Sequence, residues 1–473
     1  MTGHSIFNDV LGPVMAGPSS SHSAGCARIG RMTRLLWGRE IKKAVVVYDS
    51  QGSYPSTCVG QGSNFGFTGG LLGMKNDDPR IKDSIAIAKE LGVDISFEVE
   101  KLSGRHPNEA RIDVYGDSGE VEMSVLTLSV GGGMFEIVEL DGQPVYLDGS
   151  RKQTCTRRGG VVVTVEPILP IPMKDSDDTI FTTAQGAIDY AAEHDRSDMW
   201  KLALDYECSL GDVAEEDVWK QAEHTLNVMR EAAKAPNPEK TEMFGFLPYQ
   251  CRNMQQKTKT VKTVPTGYLE KAMFYAVAVM ENSCARNIVT ASPTAGSSGV
   301  VPAAIVAVGE ELECSDEEIM KGLLAAGLAG ACIANQATFG AEVAGCQAEN
   351  GAASAMAAAG VVQLLEGDVS QGFAAASMAL QNMLGLICDP VGGLTEIPCI
   401  SRNVAAVSNA VMSANMVMLG FDPVIPYDET IFSMYEVGKM LPSELRCTCG
   451  GGLCTTKTGR CIAEQLQSRK QYE

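Results

Sequence analysis

The pattern of hydrophobic and polar positions changes period near residue 170. Before it, short β-branched runs at 44–48 (Ala-Val-Val-Val-Tyr), 111–115 (Arg-Ile-Asp-Val-Tyr) and 160–166 (Gly-Val-Val-Val-Thr-Val-Glu) are bounded by Gly, Asp or Pro and predict strands. Between the first two, residues 79–91 place Ile81, Ile85 and Ala88 at helical spacing and stop before Gly92, which predicts a helix. A second helix is expected over 26–37. From about Asp177 onward Ala, Met, Leu and Val recur every three or four residues, the signature of a large helical region. The Pro- and Asp-rich stretch 167–178 is the natural linker. The expected fold class is therefore α+β: an N-terminal α/β domain over 1–168, a linker at 169–178, and an all-helical domain with a C-terminal tail over 179–473. Residues 234–262, polar and proline-containing, predict a surface excursion between helices.

The uncharged stretches 322–341 and 403–421 reach membrane-spanning length, but Asn, Ser, Gln or Thr among their Ala and Gly mark them as buried core helices. Residues 1–17 show neither a basic nor an apolar leader segment, so a cytoplasmic protein is expected, with no membrane partner. The Ala/Gly-rich stretches 322–345 and 350–360 allow two readings: close helix packing alone, or helices drawn tightly around a buried prosthetic group.

Composition narrows the function. A chain of 473 residues has room for two or three domains with ample core. Lys and Arg number 38 against 58 acids, a net charge of −20, which would repel a polyphosphate and excludes nucleic acid as a partner. A small anionic substrate held by local donors is compatible with it. Fifteen cysteines in a reducing compartment point to metal ligands or nucleophiles.

Three segments could carry chemistry. The first, Gly17-Pro18-Ser19-Ser20-Ser21-His22-Ser23-Ala24-Gly25, puts hydroxyls and backbone N–H groups at a helix N-terminus, a geometry that binds an anion such as a carboxylate. The alternative is an N-cap with redundant serines. The second is a set of cysteines at Gly or Pro breaks beside helical stretches: Cys346, Cys388 and Cys399. Their spacings match no zinc ribbon or finger; three thiolates without a fourth would suit a [4Fe–4S] cluster with one open iron, or they are small buried hydrophobes. The third, Cys447-Thr448-Cys449-Gly450-Gly451-Gly452-Leu453-Cys454, reads as a metal motif, as a phosphate-cradling loop of a pyridoxal-phosphate enzyme, or as a flexible tail approaching the active site. No lysine stands in a recognisable Schiff-base context.

Taken together these segments resemble the iron–sulfur-dependent L-serine dehydratases (L-serine ammonia-lyases) in their single-chain form. The resemblance runs in order through residues 17–22, His106-Pro107-Asn108, Ser129 to Gly133, Pro293 to Ser297, Gly345 to Glu349 and 385–403. It implies a [4Fe–4S] cluster on Cys346, Cys388 and Cys399, with the fourth iron open to substrate or met by the tail, where Cys454 is the candidate. It implies a substrate carboxylate held by Ser19, Ser20, Ser21 and Ser23, with Asn108, Gly132 and Thr294 also binding substrate. It also implies an N-terminal domain similar to the allosteric substrate-binding domain of some phosphoglycerate dehydrogenases, and a homodimer. The reaction would be β-elimination from L-serine to pyruvate and ammonia, with iron as Lewis acid and a base near the α-proton.

His22 and His106 are the candidate bases. Members of that family carry Thr-Gly-Lys-Gly-His where this chain has Val59-Gly60-Gln61-Gly62-Ser63, so Ser63 stands in place of a third candidate. That departure leaves another β-hydroxy amino acid or L-cysteine as alternative substrates. A pyridoxal-phosphate dehydratase and a non-catalytic amino-acid sensor are the readings from other classes. His4, His194 and His224 are expected at the surface or on helix faces.

Overall fold

The computed structural model describes residues 3–175, 179–237, 243 and 245–470. The N-terminal part is built on a six-stranded sheet of β2 (Lys43–Asp49), β3 (Asp94–Glu100), β4 (Glu109–Tyr115), β5 (Val121–Gly131), β6 (Met134–Leu140) and β7 (Gln143–Leu147). Its order is β3-β2-β4-β5-β6-β7. Only β2 and β3 run parallel, joined by a crossover that contains helices Ser63–Leu71 and Ser84–Glu90; the other neighbours are antiparallel. β2 is buried over six of its seven residues because helices cover it. Helix Gly25–Trp37 lays Ile29, Met32 and Leu36 into the same core as Val46, Tyr48, Ile112 and Val125.

The strands expected at 44–48 and 111–115 are β2 and β4. The run at 160–166 becomes β9 (Val161–Val165), which stays out of the main sheet and pairs with β8 (Gln153–Arg157). The helix expected over 79–91 is a 3-10 turn, Ile81–Asp83, leading into Ser84–Glu90. β3 and β5 escape a reading by periodicity for different reasons. β3 is an edge strand with no buried residue, and the buried face of β5 continues from Met123 and Val125 through Thr127 and Ser129, where hydroxyls replace apolar groups.

The two long uncharged stretches lie in buried helices, Asp316–Gln336 and Cys399–Met418. Among the described residues no helix is long and apolar enough to cross a membrane. Helices Asp316–Gln336 and Asn350–Leu364 approach so closely that a Cβ on Gly360 would lie 2.7 Å from the Gly322 carbonyl oxygen and 2.3 Å from Ile305. The small residues thus serve close packing there.

The start of the chain belongs with the helices. Ile6, Phe7, Val10 and Leu11 are buried in the helical core, and β1 (Val14–Ala16) pairs with β10 (Ile288–Thr290). Buried Glu207 anchors this segment: its carboxylate accepts from Ser5 Oγ at 2.5 Å, Ile6 N at 2.7 Å and Phe7 N at 3.4 Å. The serine loop that follows is therefore held between sheet and helices. Of the expected linker, residues 176–178 lie outside the described residues; of the expected excursion at 234–262, so do 238–242 and 244, and its remainder carries one short helix, Cys251–Lys257.

Candidate active site

One cavity gathers segments that lie hundreds of residues apart. Ser19, Ser20, Ser21 and His22 line it from the loop before helix Gly25–Trp37; Ser53, Thr57 and Gln61 line it from the crossover after β2; Gly131 and Gly132 come from the β5–β6 turn. The helical body contributes Thr294, Glu342, Glu349, Cys388, Cys399 and, from the tail, Cys447. The β5–β6 turn has φ of +108°, +59° and +86° at Gly131, Gly132 and Gly133, a run of left-handed backbone that only glycine adopts readily. It brings main chain, without side chains, up to the cavity.

The loop hydroxyls are organised by His22. Ser19 caps the turn over Ser20–Ala24, its Oγ accepting from His22 N at 3.3 Å. His22 Nδ1 faces Ser21 Oγ at 2.9 Å and Ser19 Oγ at 3.3 Å, while Nε2 faces Thr57 Oγ1 at 2.9 Å and Ser53 Oγ at 3.2 Å. Burial pushes its pKa down to about 3, so the ring is neutral at ordinary pH and both nitrogens are engaged with hydroxyls. Ser23 turns away from the cavity and donates to the carbonyls of Ala16 and Ser19. Ser20 Oγ accepts from Ala295 N at 3.4 Å, tying the loop to the helical body.

Two carboxylates that the sequence reading did not single out face the cavity. Glu349 accepts from Thr294 Oγ1 at 2.8 Å, and burial pushes its pKa up to about 7 against that bond. Glu342 is raised by burial as well, and accepts from Asn108 Nδ2 at 3.1 Å. Their sequence signal was available: from Gly322 to Leu365 they are the only charged residues. An isolated acid inside an apolar run is costly to bury and marks a site.

Cys346, Cys388 and Cys399 are all buried, and Cys346 is close enough to each of the other two to act on it electrostatically. Cys388 and Cys399 line the cavity; Cys346 packs with Cys388 just behind it. Burial pushes Cys346 up to about 12, opposed by Arg402 and by the Asn350 amide, which donates to its Sγ at 3.0 Å. Burial raises Cys399, with Cys346 and Glu349 adding to it; Cys388 is raised first by its bond with Cys447 and then by burial. Burial pulls the Arg402 guanidinium down, but Cys346, Asp389 and Cys399 outweigh it; Arg402 pairs with Asp389 at 2.8 Å. Three thiols with a cation and an amide donor beside them form a donor set suited to thiolate ligation. Among the described residues no three His, Cys, Asp or Glu side chains close around a single metal ion.

Several expected residues sit elsewhere. Ser63 is fully buried and faces Tyr48 Oη at 3.1 Å in the core of the sheet, not the cavity. His106 does not line the cavity; its Nδ1 accepts from Asn108 N at 3.1 Å, and burial lowers it to about 4. Asn108 stands one step behind the cavity wall, linking Ser53, Ser129 and Glu342. In the tail, the thiol at the cavity is Cys447 rather than Cys454. Cys447 N donates to the Cys388 carbonyl at 3.0 Å, whereas Cys454 Sγ donates to the Pro390 carbonyl at 3.1 Å, behind the wall. Leu453 N, bonded to Asp389 at 2.7 Å, pins this segment, so it is an ordered strap across residues 388–390.

Comparison with known proteins identifies the family. Residues 152–454 match the family described as serine dehydratase alpha chain. The chain is 38% identical over 260 residues to the probable L-serine dehydratase alpha chain of Bacillus subtilis, covering 55% of this chain and 87% of that one. It is 46% identical over 146 residues to the probable beta chain from the same organism, covering 31% and 64%. With an L-serine dehydratase of Streptomyces coelicolor it shares 29% identity over 95% of this chain and 98% of the other.

Proposed function

The chain belongs to the serine dehydratase alpha chain family, and we propose that it is an iron–sulfur-dependent L-serine ammonia-lyase that forms pyruvate and ammonia by β-elimination. The observation that carries this reading is one cavity with a hydroxyl-rich loop, two buried carboxylates and cysteine thiols on its walls. Among the described residues no lysine lines that cavity, so they offer no Schiff-base residue there.

Cys346, Cys388 and Cys399 would hold a [4Fe–4S] cluster, with Arg402 and Asn350 offsetting the charge of the sulfurs. When bound, it supplies a Lewis acid that stabilises charge on a departing hydroxyl. The rest of the reaction falls to side chains of this chain. Ser19 and Ser21, oriented by neutral His22, donate to the substrate carboxylate. Glu342 meets the α-ammonium. Glu349 takes the α-proton on Oε2, since Thr294 occupies Oε1. A carboxyl raised to about 7 by burial is half ionised near neutrality, which suits a base that must both accept and release a proton. Loss of the hydroxyl then gives aminoacrylate, which tautomerises and hydrolyses to the 2-oxo acid and ammonia. The free thiols throughout the chain suit a reducing cytoplasm.

Anaerobic purification tests this reading. Brown protein containing iron and sulfide, releasing pyruvate from L-serine faster than 2-oxo acid from L-threonine, L-cysteine or 3-hydroxyaspartate, is the expected result. Full activity in colourless, iron-free protein would overturn it.

A further inference from the structure

A second cavity, of ≈ 370 Å³, lies outside the candidate active site, walled by helix Gly25–Trp37, the loop at 75–77, the segment 167–170 and helix Glu215–Ala232. In a chain of net charge −20 it is unusual in being cationic: Arg28, Arg31 and Lys75 line it against a single acid, Asp77.

Among the described residues neither arginine forms an ion pair. Arg28 is only 3% exposed, yet among the described residues its guanidinium donates to main-chain carbonyls alone, Gly133 O at 2.8 Å and Asn8 O at 3.3–3.4 Å. The nearby Asp9 carboxylate is committed to Ser5 N at 3.0 Å and faces His4 at 3.3 Å. Arg31, half-buried one turn further along the helix, forms no ion pair among the described residues, and Asp77 acts on it only through space. A buried guanidinium without a counter-anion is costly, and folded proteins ordinarily pair it. Burial pulls both guanidinium groups below their ordinary pKa, Arg28 to about 10, with Asp9 and Asp77 opposing it only through space.

We infer that this cavity is a binding site for a small dianion, a phosphate monoester or a dicarboxylate, with Arg31 and Lys75 gripping the ligand and Arg28 supplying charge from the floor. The site is separate from the serine loop, although Arg28 also holds the Gly133 carbonyl of the turn that lines the active cavity. Planar guanidinium groups suit both ligand types, since each offers paired oxygens.

The test uses the full chain, purified anaerobically with its iron retained, and inorganic phosphate as probe at ionic strength held constant with chloride. Calorimetry should show saturable one-site binding, weakened about tenfold or more in the double variant R31Q/K75Q. Lys75→Gln alone, at an exposed position, should weaken it measurably even if the double variant folds poorly. Malonate titrated in the same way separates the two ligand classes: the tighter of the two probes, with its binding lost in R31Q/K75Q, identifies the class. No saturable binding of either probe overturns the inference. So does binding whose affinity is unchanged in R31Q/K75Q, or that disappears instead in the double variant Ser19→Ala/Ser21→Ala, which would assign the anion to the active cavity.

Discussion

Asn108 and Glu342, 234 residues apart in the chain, meet at 3.1 Å, the amide Nδ2 donating to the carboxylate Oε1. Asn108 enters β4 and also bonds the Ser129 carbonyl of β5 and Ser53, so the sheet fixes the orientation of an acid that belongs to the helical body. A buried carboxylate with few donors is sensitive to the loss of a side-chain one.

Glu342→Gln and Asn108→Ala are accordingly expected to raise KM for L-serine, the first about tenfold or more, because a charge-assisted contact to the substrate ammonium is lost or misaligned. Glu349→Gln should instead lower kcat by about 10²–10⁴, the range for removing a general base. Steady-state kinetics on iron-replete variants separate the two effects; wild-type kcat in Glu349→Gln would send the search for the base elsewhere.

Cys346→Ala, Cys388→Ala and Cys399→Ala should each lose iron and the brown colour. Cys208→Ala and Cys314→Ala should retain both, since those thiols lie away from the cavity. Metal analysis after anaerobic gel filtration provides the readout.

In the serine loop, Ser19→Ala and Ser21→Ala should each raise KM by roughly tenfold, the worth of a hydrogen bond to a charged group. His22 is neutral down to about pH 3, so it contributes no limb to the rate profile. The acid limb of kcat/KM between pH 5 and 8 should therefore persist in His22→Asn even though KM rises. A limb that vanishes with the imidazole would assign it to His22.

Glu207 predicts a pH dependence of stability. Burial raises its folded-state pKa from 4.5 to about 7. Between those values the folded chain binds more proton than the unfolded one, so its contribution is fully present below about pH 4.5 and is lost as pH rises through 7. Across that window the stability of wild type relative to Glu207→Gln should fall by about 3 kcal/mol. Urea denaturation of both proteins at pH 5, 6, 7 and 8 tests the sign; a difference independent of pH would refute it.

Local pattern determined much of this protein. The β-branched run of β2, the helix from Gly25 and the uncharged core helices were legible because each element's own spacing records which of its faces is buried. Serine hydroxyls next to a helix start and cysteines at glycine breaks could likewise be found as motifs. Edge strand β3 and the hydroxyl-bearing face of β5 were not legible, since they carry little of the apolar alternation that periodicity detects.

Only the tertiary structure decided which side chains share a cavity. Ser63 and His106 carry suitable chemistry but turn from it, Cys447 comes to the wall in place of Cys454, and Glu342 and Glu349 emerge as its carboxylates. Periodicity assigns a side chain to a face of its own helix or strand; which remote segment covers that face depends on packing across hundreds of residues, and the desolvation that lifts Glu349 or silences His22 exists only once that packing is complete.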